Sequence, residues 1–450
     1  MQATPQRAVP DAVPDAALER ETIRRITWRL IPLLFVLYVV AFLDRTNVAL
    51  AALQMNRDLG LSAAAYGFGA GIFFIGYALF EVPSNMILAR VGARRWIARI
   101  AVTWGLLASA MLFARGPLSF YALRFLLGIA EAGFFPGVVY YLGLWFPAQH
   151  RARATARFMI GIPLSGLVGG PVGGALLALD GRLGLAGWQW LFLLEGVPAV
   201  LLGAVTLRWL TDRPADAAWL TDAQRAWLAG RLAAEQGAPG AAAHTPLRTT
   251  LTSGTVWWLA TLYFMGLLGG YTLTLWAPIM IRELLPMSDL RVSLVIGLLG
   301  LCGVVGMLAN GALSDRRGER IVHATVPLVA SALGFLLAAT TRQPLLALAG
   351  LAIAATGVNA FLPVFWCLPS VFLRGLGAAA GIALINSIGN VGGFIGPAAL
   401  GRVRTATGGF SAGLLVLAAM ALGAAVLMLA LRTSRVLARR ETLGGPSPAP

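Results

Sequence analysis

Apolar stretches of membrane length recur along this chain, at roughly 28–50, 66–89, 97–114, 118–146, 155–178, 188–209, 256–281, 292–313, 322–340, 345–368, 376–400 and 410–431. Each is close to the about 20 residues that carry a helix across a bilayer, and short polar hinges join most of them. With 58% hydrophobic residues, 12% charged residues and a mean hydropathy of +0.77, the apolar surface exceeds what a soluble core can hide. The expected fold class is an all-α polytopic membrane protein with twelve transmembrane helices.

A net charge of +16 would suggest a nucleic-acid partner in a soluble chain. Here the placement of charge decides otherwise. All 35 basic residues are arginine, so lysine chemistry is excluded. They gather in alternate hinges: Arg90, Arg94, Arg95 and Arg99; Arg151, Arg153 and Arg157; Arg316, Arg317 and Arg320; and the tail from Arg432 to Arg440. The other hinges carry scattered arginines such as Arg57, Arg115, Arg182, Arg282 and Arg342. The positive-inside rule puts both termini in the cytoplasm. The charge then reads as topology plus affinity for anionic membrane lipid, with no nucleic acid required. Met1–Thr27 lacks an apolar core followed by a small-residue cleavage site, so it reads as a cytoplasmic tail rather than a signal peptide. Cys302 and Cys367 fall in apolar stretches as packing residues, and the three histidines lie in or beside polar segments. No metal or cofactor is expected; proton chemistry would fall to carboxylates.

An internal repeat organises the chain. Arg90-Val-Gly92-Ala-Arg94 matches Arg316-Arg-Gly318-Glu-Arg320 at an offset of 226, and the same offset carries Gly166 to Gly392 and Gly170-Pro171 to Gly396-Pro397. Two parallel six-helix units with a site between them follow. The expected organisation is a tail (1–27), a first bundle (28–209), a cytoplasmic linker (210–255), a second bundle (256–432) and a tail (433–450). The linker places charges around Trp219 and Trp227, reads as amphipathic on the membrane surface, and ends in a flexible Gly-Ala-Pro run at 237–243. Glycine dominates the fifth and eleventh spans, as close helix packing requires.

Charges inside the spans mark the site. Asp44 and Arg45 interrupt the first apolar run, and Arg124 and Glu131 share one face of the fourth, seven residues apart. Each such charge costs roughly 2.5–3.5 kcal/mol on an insertion scale, so idle charges are not expected. An outer loop beginning at Asp44 is the bland alternative for the first pair, and a permanent inter-helix ion pair for the set. Asp44, near the outer end of its span, or Glu131 is expected to pair with Arg124. The offset of 226 carries positions 44, 45, 124 and 131 to Gly270, Tyr271, Gly350 and Gly357, none of them charged. Ionisable chemistry is thus expected in the N-terminal half. Neutral hydrogen-bonding groups fall to the other half: Tyr271, Trp276, Asn310, Asn359, Trp366, Asn386 and Asn390, each equally able to bind a nearby carbonyl. Tyr77 is a cavity candidate, Glu81 an inner-gate candidate, and Glu195 stays unassigned.

These residues suggest a competition. Burial and a nearby arginine pull a carboxyl's protonation in opposite directions. Ionised Asp44 and Glu131 would occupy Arg45 and Arg124; once protonated, they release the arginines to a substrate carboxylate, bidentate and charge-assisted. The gradient supplies roughly 1.4 kcal/mol per pH unit per proton.

The halves resemble the major facilitator superfamily. Gly311-Ala-Leu-Ser-Asp315-Arg316-Arg317-Gly318-Glu-Arg320 is similar to its gating-loop motif, which implies gating roles for Asp315, Arg316 and Arg320. The first copy, ending at Arg90, has Asn85 and Ala89 where the motif has glycine and aspartate. More narrowly, Phe42-Leu-Asp-Arg-Thr-Asn47, Phe80-Glu-Val-Pro-Ser-Asn85, Arg124 through Pro136 and Gly187-Trp-Gln-Trp-Leu-Phe resemble the anion:cation symporter family, nearest its tartrate-transporter-like branch. That resemblance implies a monomeric, non-enzymatic importer of small organic anions with protons in a bacterial inner membrane. It also implies proton coupling at Asp44 and Glu131 and a substrate cavity lined by Arg45, Tyr77 and Arg124. Exchange or efflux of an organic anion is the alternative. A membrane enzyme would need a catalytic cluster, and a receptor a signalling domain.

Overall fold

The computed structural model describes residues 13–236, 252–372 and 376–433. Those residues form helices joined by short hinges: α1 (Val13–Asp58), α2 (Ala63–Val91), α3 (Ala93–Ala110), α4 (Pro117–Glu131), α5 (Phe134–Trp145), α6 (Ala148–Met159), α7 (Gly161–Leu177) and α8 (Gly187–Trp209). They continue with α9 (Asp222–Gln236), α10 (Gly254–Leu284), α11 (Asp289–Arg317), α12 (Ile321–Thr340), α13 (Pro344–Phe372), α14 (Leu376–Thr407) and α15 (Ser411–Thr433). Among the described residues 11 spans are long and apolar enough to cross a membrane, and α14 adds a helix of 32 residues at the remaining expected position.

Two expected spans are built in pieces. The fourth breaks into α4 and α5 at Ala132–Gly133, where Gly133 takes a left-handed φ of 85° and lies close against Ser84. A side chain there would be strained and would meet Ser84, so the glycine ends α4 directly after Glu131. The fifth is the arginine-bearing α6 followed by apolar α7, with only Ile160 between them.

Helix α1 corrects two expectations. It is continuous for 46 residues, so 13–27 extends the first span rather than hanging from it as a separate tail. Because it continues to Asp58, Asp44 lies in its interior and not near its end. The linker also differs from a segment resting on lipid alone. Trp219 stacks on Trp145 with centroids 5.3 Å apart, and Glu235 accepts from Ala148 N at 2.6 Å and from Arg151. Helix α9 therefore docks on the N-terminal half; the expected flexible run at 237–243 lies outside the described residues.

The N-terminal helices pack chiefly through α3 on α8, α2 on α4 and α1 on α7 and α8, and the C-terminal ones through α12 on α13 and α15. The halves meet where α2 lies on α14, α7 on α11 and α1 on α10. As the glycine stripes predict, Gly170 and Gly174 sit against Ser293 on α11, and Gly393 against Phe74 on α2.

The two ends of this contact are unlike. Near the α1–α2 hinge one apolar core runs through both halves, taking in Trp276, Leu400 and Leu414. There Gln54 Nε2 donates to Asp289 at 2.8 Å, Arg282 to Leu53 O at 3.0 Å, and Tyr66 Oη to Leu275 O at 2.6 Å. At the arginine-rich end the C-terminal half has its own core, with Val256, Leu328, Phe361, Ile385 and Met428. The halves are fused at one end and separately packed at the other.

Candidate functional site

Consecutive residues on a helix point about 100° apart, so Asp44 and Arg45 leave α1 toward different neighbours. Arg45 turns to α4 and α2. It forms an ion pair with Glu131, and its guanidinium lies 5.0 Å from the Tyr77 ring and 5.4 Å from that of Phe73. From the other half, Tyr271 on α10 donates a hydrogen bond to Asn390 Oδ1 on α14 at 3.2 Å. Phe74 packs on Tyr271 at 4.4 Å. Arg45, Tyr77, Glu131, Tyr271 and Asn390 therefore meet at the junction of the halves.

Arg124 is fully buried and lies beside the same group. Its Nη2 donates to Ala70 O at 3.1 Å and its guanidinium lies 4.9 Å from the Phe73 ring. Nε and Nη1 have no hydrogen-bond partner, and Arg124 has no ion pair among the described residues. Glu131 Oε2 and Arg45 Nε are likewise unmatched. A buried guanidinium with two open donors is costly unless an acceptor comes to it.

This arrangement corrects the expected pairing. Arg124 and Glu131 share a face, but seven residues of helix separate them by about 10 Å along the axis, too far to bond each other. Glu131, in the last turn before the Gly133 break, reaches Arg45 instead. Asp44 pairs with neither arginine. Its Oδ2 accepts from Trp104 Nε1 at 2.6 Å, and its Oδ1 from Asn47 Nδ2 at 3.4 Å. Trp104 and Asn47 are not marked by the sequence, although a buried tryptophan N–H usually finds an acceptor.

The remaining candidates divide. Glu81 is nearly buried on α2, with its Oε2 unmatched, and Asn386 is half-buried on α14. Trp366 stands apart in an aromatic group with Tyr263, at 4.9 Å, and Phe365. Trp276 belongs to the fused end, edge-on to Tyr66 at 4.9 Å. Asn310 spans to His323 O and Ala360 O at 2.7 and 2.9 Å, and Asn359 bonds Ala355 O in its own helix at 2.8 Å; these two are occupied by backbone.

In the gating loops, Arg90 and Arg316 are exposed with no ion pair among the described residues. Arg94 holds the first loop instead, its backbone N–H donating to Asp212 Oδ1 at 2.8 Å. Arg320 donates to Ser314 Oγ at 3.0 Å, while the side chain of Asp315 lies outside the described residues. Glu319 caps α12, accepting from Val322 N at 2.8 Å and His323 N at 3.3 Å. Partial burial pushes its carboxyl upward, but these donors win and hold it below the usual glutamate range.

Comparison with known proteins adds to this geometry. The sequence profile of the Major Facilitator Superfamily matches residues 34–397. A protein of Agrobacterium vitis named "Putative tartrate transporter" is 47% identical over 424 residues, 94% of each chain. The "Quinolone resistance transporter" of Acinetobacter baumannii is 43% identical over 396 residues, 88% of this chain and 91% of that one. Among solved structures, a bacterial homologue of the human lysosomal transporter Spinster, inward-facing and occupied, has a TM-score of 0.73 at 18% identity, covering 93% of this chain and 98% of that one. At that identity the likeness concerns the fold alone.

Proposed function

The chain belongs to the Major Facilitator Superfamily and is an integral membrane protein, and we propose that it imports a small organic anion together with protons by alternating access. One observation carries this: a buried Arg124 with two open donors, beside an Arg45 already held by a carboxylate. A carboxylate is the ligand such a pair fits, because guanidinium and carboxylate match bidentately and strengthen each other out of water.

The cycle follows from the exchange of one carboxylate for another. Ionised Glu131 holds Arg45. A proton on Glu131 releases the guanidinium, which joins Arg124 in taking the carboxylate of the substrate. Tyr77, Tyr271 and Asn390 offer hydrogen bonds to hydroxyl or carbonyl groups. Asp44 holds a second proton away from the substrate. Substrate and proton thus load together, and the charge of the chamber barely changes. Small hydroxylated dicarboxylates are the favoured class, supported by the name of the Agrobacterium vitis relative.

The protein sits in a bacterial inner membrane with both termini cytoplasmic, a reading that arginine placement supports. The fused end then faces outward, and the separately packed end opens to the cytoplasm past Glu81 and the loops bearing Arg90, Asp315, Arg316 and Arg320. The protein works as a monomer without a cofactor, the proton being its coupling ion. Export of an organic acid is a second reading, favoured by the drug-resistance name of the Acinetobacter baumannii relative.

Uptake of labelled tartrate and related acids into proteoliposomes, with and without an inward proton gradient, tests the proposal. Gradient-dependent accumulation is expected in the wild type and not in Arg124→Ala or Asp44→Asn. Accumulation by either variant at the wild-type level would refute it.

A further inference from the structure

Away from the arginine chamber, the first turns of α1 and helix α6 enclose a cavity of about 100 Å³ that the cycle above does not use. Arg20, Ile23 and Thr27 line it from one face of α1, and Phe146, Arg153 and Arg157 from α6 and the hinge before it. Phe146 is buried and Ile23 half-buried, whereas the three arginines are exposed, so an apolar floor carries a guanidinium rim. None of these arginines has an ion pair or hydrogen bond among the described residues. The nearby acids are taken by other groups. Glu19 accepts from His150 at 2.8 Å and Gln149 at 2.5 Å, Glu21 pairs with Arg25 at 3.0 Å, and Glu235 with Arg151 at 3.2 Å. Arginines that only set topology need no common target. These three share one hollow, and Arg153 and Arg157 stand one turn apart, where like charges destabilise the helix that carries them. An anion between them removes that cost. The volume is several times the roughly 10–15 Å³ that one water needs, enough for a phosphate group.

The depth of the hollow points to the source of that phosphate. Trp28, the residue after Thr27, is 74% exposed. Trp209, also exposed, stacks on the Arg29 guanidinium at 3.7 Å and donates from Nε1 to Arg29 O at 2.8 Å. Exposed tryptophans on membrane helices mark the level of the lipid headgroups. We propose that Arg20, Arg153 and Arg157 form a binding site for the phosphodiester of an anionic phospholipid in the leaflet at the arginine-rich end. Guanidinium groups take phosphate oxygens in paired, charge-assisted hydrogen bonds. The Thr27 hydroxyl adds a neutral donor, and Ile23 and Phe146 meet the glycerol end of the acyl chains. The bound lipid ties α1 to α6. Only Ile160 separates α6 from α7, whose Gly170 and Gly174 lie against Ser293 of the other half, so the site adjoins a helix on which the halves meet.

The site requires no particular solute, so it stands or falls apart from the symport reading. Native mass spectrometry of the full-length protein in neutral detergent, titrated with phosphatidylglycerol, phosphatidylcholine or inorganic phosphate, counts what is retained. One phosphatidylglycerol is expected to bind at least about tenfold more tightly than phosphatidylcholine, because only the first brings a net negative charge to the three arginines. Removing one arginine should weaken it roughly fivefold and removing two about thirtyfold. Arg153→Gln with Arg157→Gln tests the α6 wall, and Arg20→Gln tests the α1 wall independently should the double variant fail to fold. Arg24→Gln with Arg208→Gln removes the same charge from exposed positions outside the cavity, and should keep the affinity within about twofold. Equal losses in the two double variants would reduce the effect to general surface charge and overturn the proposal. Equal retention of phosphatidylcholine, or retention of inorganic phosphate in place of phosphatidylglycerol, would overturn the lipid assignment.

Discussion

The N-terminal half buries Asp44, Arg124, Glu131 and Glu195, whereas the offset of 226 carries those positions to Gly270, Gly350, Gly357 and Ala421 in the C-terminal half. At the shared site the first half offers the Arg45–Glu131 pair and Arg124, and the second offers Tyr271 and Asn390. The difference has a physical use. In the proposed cycle the ionisable groups stay within their own half, so no ion would have to cross from one half to the other. Neutral hydrogen bonds from the second half, each worth about 1 kcal/mol net, can form and break within a working cycle. The two cores tell the same story, being one body at the fused end and two at the arginine-rich end.

The largest expected effect lies on the charged side. Arg124→Ala should weaken tartrate binding at least about thirtyfold, by the 2–5 kcal/mol that truncating a buried charged contact costs. Thermal-shift titration against a panel of organic acids measures it, and Arg124→Lys should rescue only in part, since an ammonium cannot present the planar fork. Glu131→Gln should leave counterflow running but reduce gradient-driven accumulation roughly tenfold per pH unit of gradient. On the neutral side, Tyr271→Phe and Asn390→Ala should each raise KM about three- to tenfold, near 1 kcal/mol, with coupling intact. Should they equal Arg124→Ala, the division of labour between the halves fails.

The smallest effect is one of stability, in the loop before α12. Glu319→Gln should cost about 0.5–1 kcal/mol, the usual worth of a helix cap. Because the folded protein holds this carboxyl below its ordinary range, its stabilisation is present at neutral pH and is lost as pH falls through that depressed value. Melting temperatures of variant and wild type should therefore converge in acid.

Much of the fold is legible in the sequence because hydrophobic length alone specifies membrane helices, and the site is legible because charge in hydrocarbon is rare. What stayed hidden is which charge meets which. Residue spacing puts Arg124 and Glu131 on one face but says nothing of how far Arg45 reaches across from α1. The partners of Asp44 were obscured because Trp104 and Asn47 look like packing in a linear reading. The extent of α1 was hidden because residues 13–27 are polar, yet their helix is held by docking: Glu19 accepts from His150 and Gln149 on α6 at 2.8 and 2.5 Å. Glycines in α7 and α14 announced close packing, whereas only the left-handed Gly133 ends a helix at the functional carboxylate.

Tartrate binding to the purified protein in weakly buffered solution, followed with a pH indicator, probes the competition between Glu131 and substrate most directly. Binding is expected to draw about one proton from solution per ligand, with that uptake lost in Glu131→Gln although binding persists. Binding that takes up no proton, or that survives undiminished in Arg124→Ala, would contradict it.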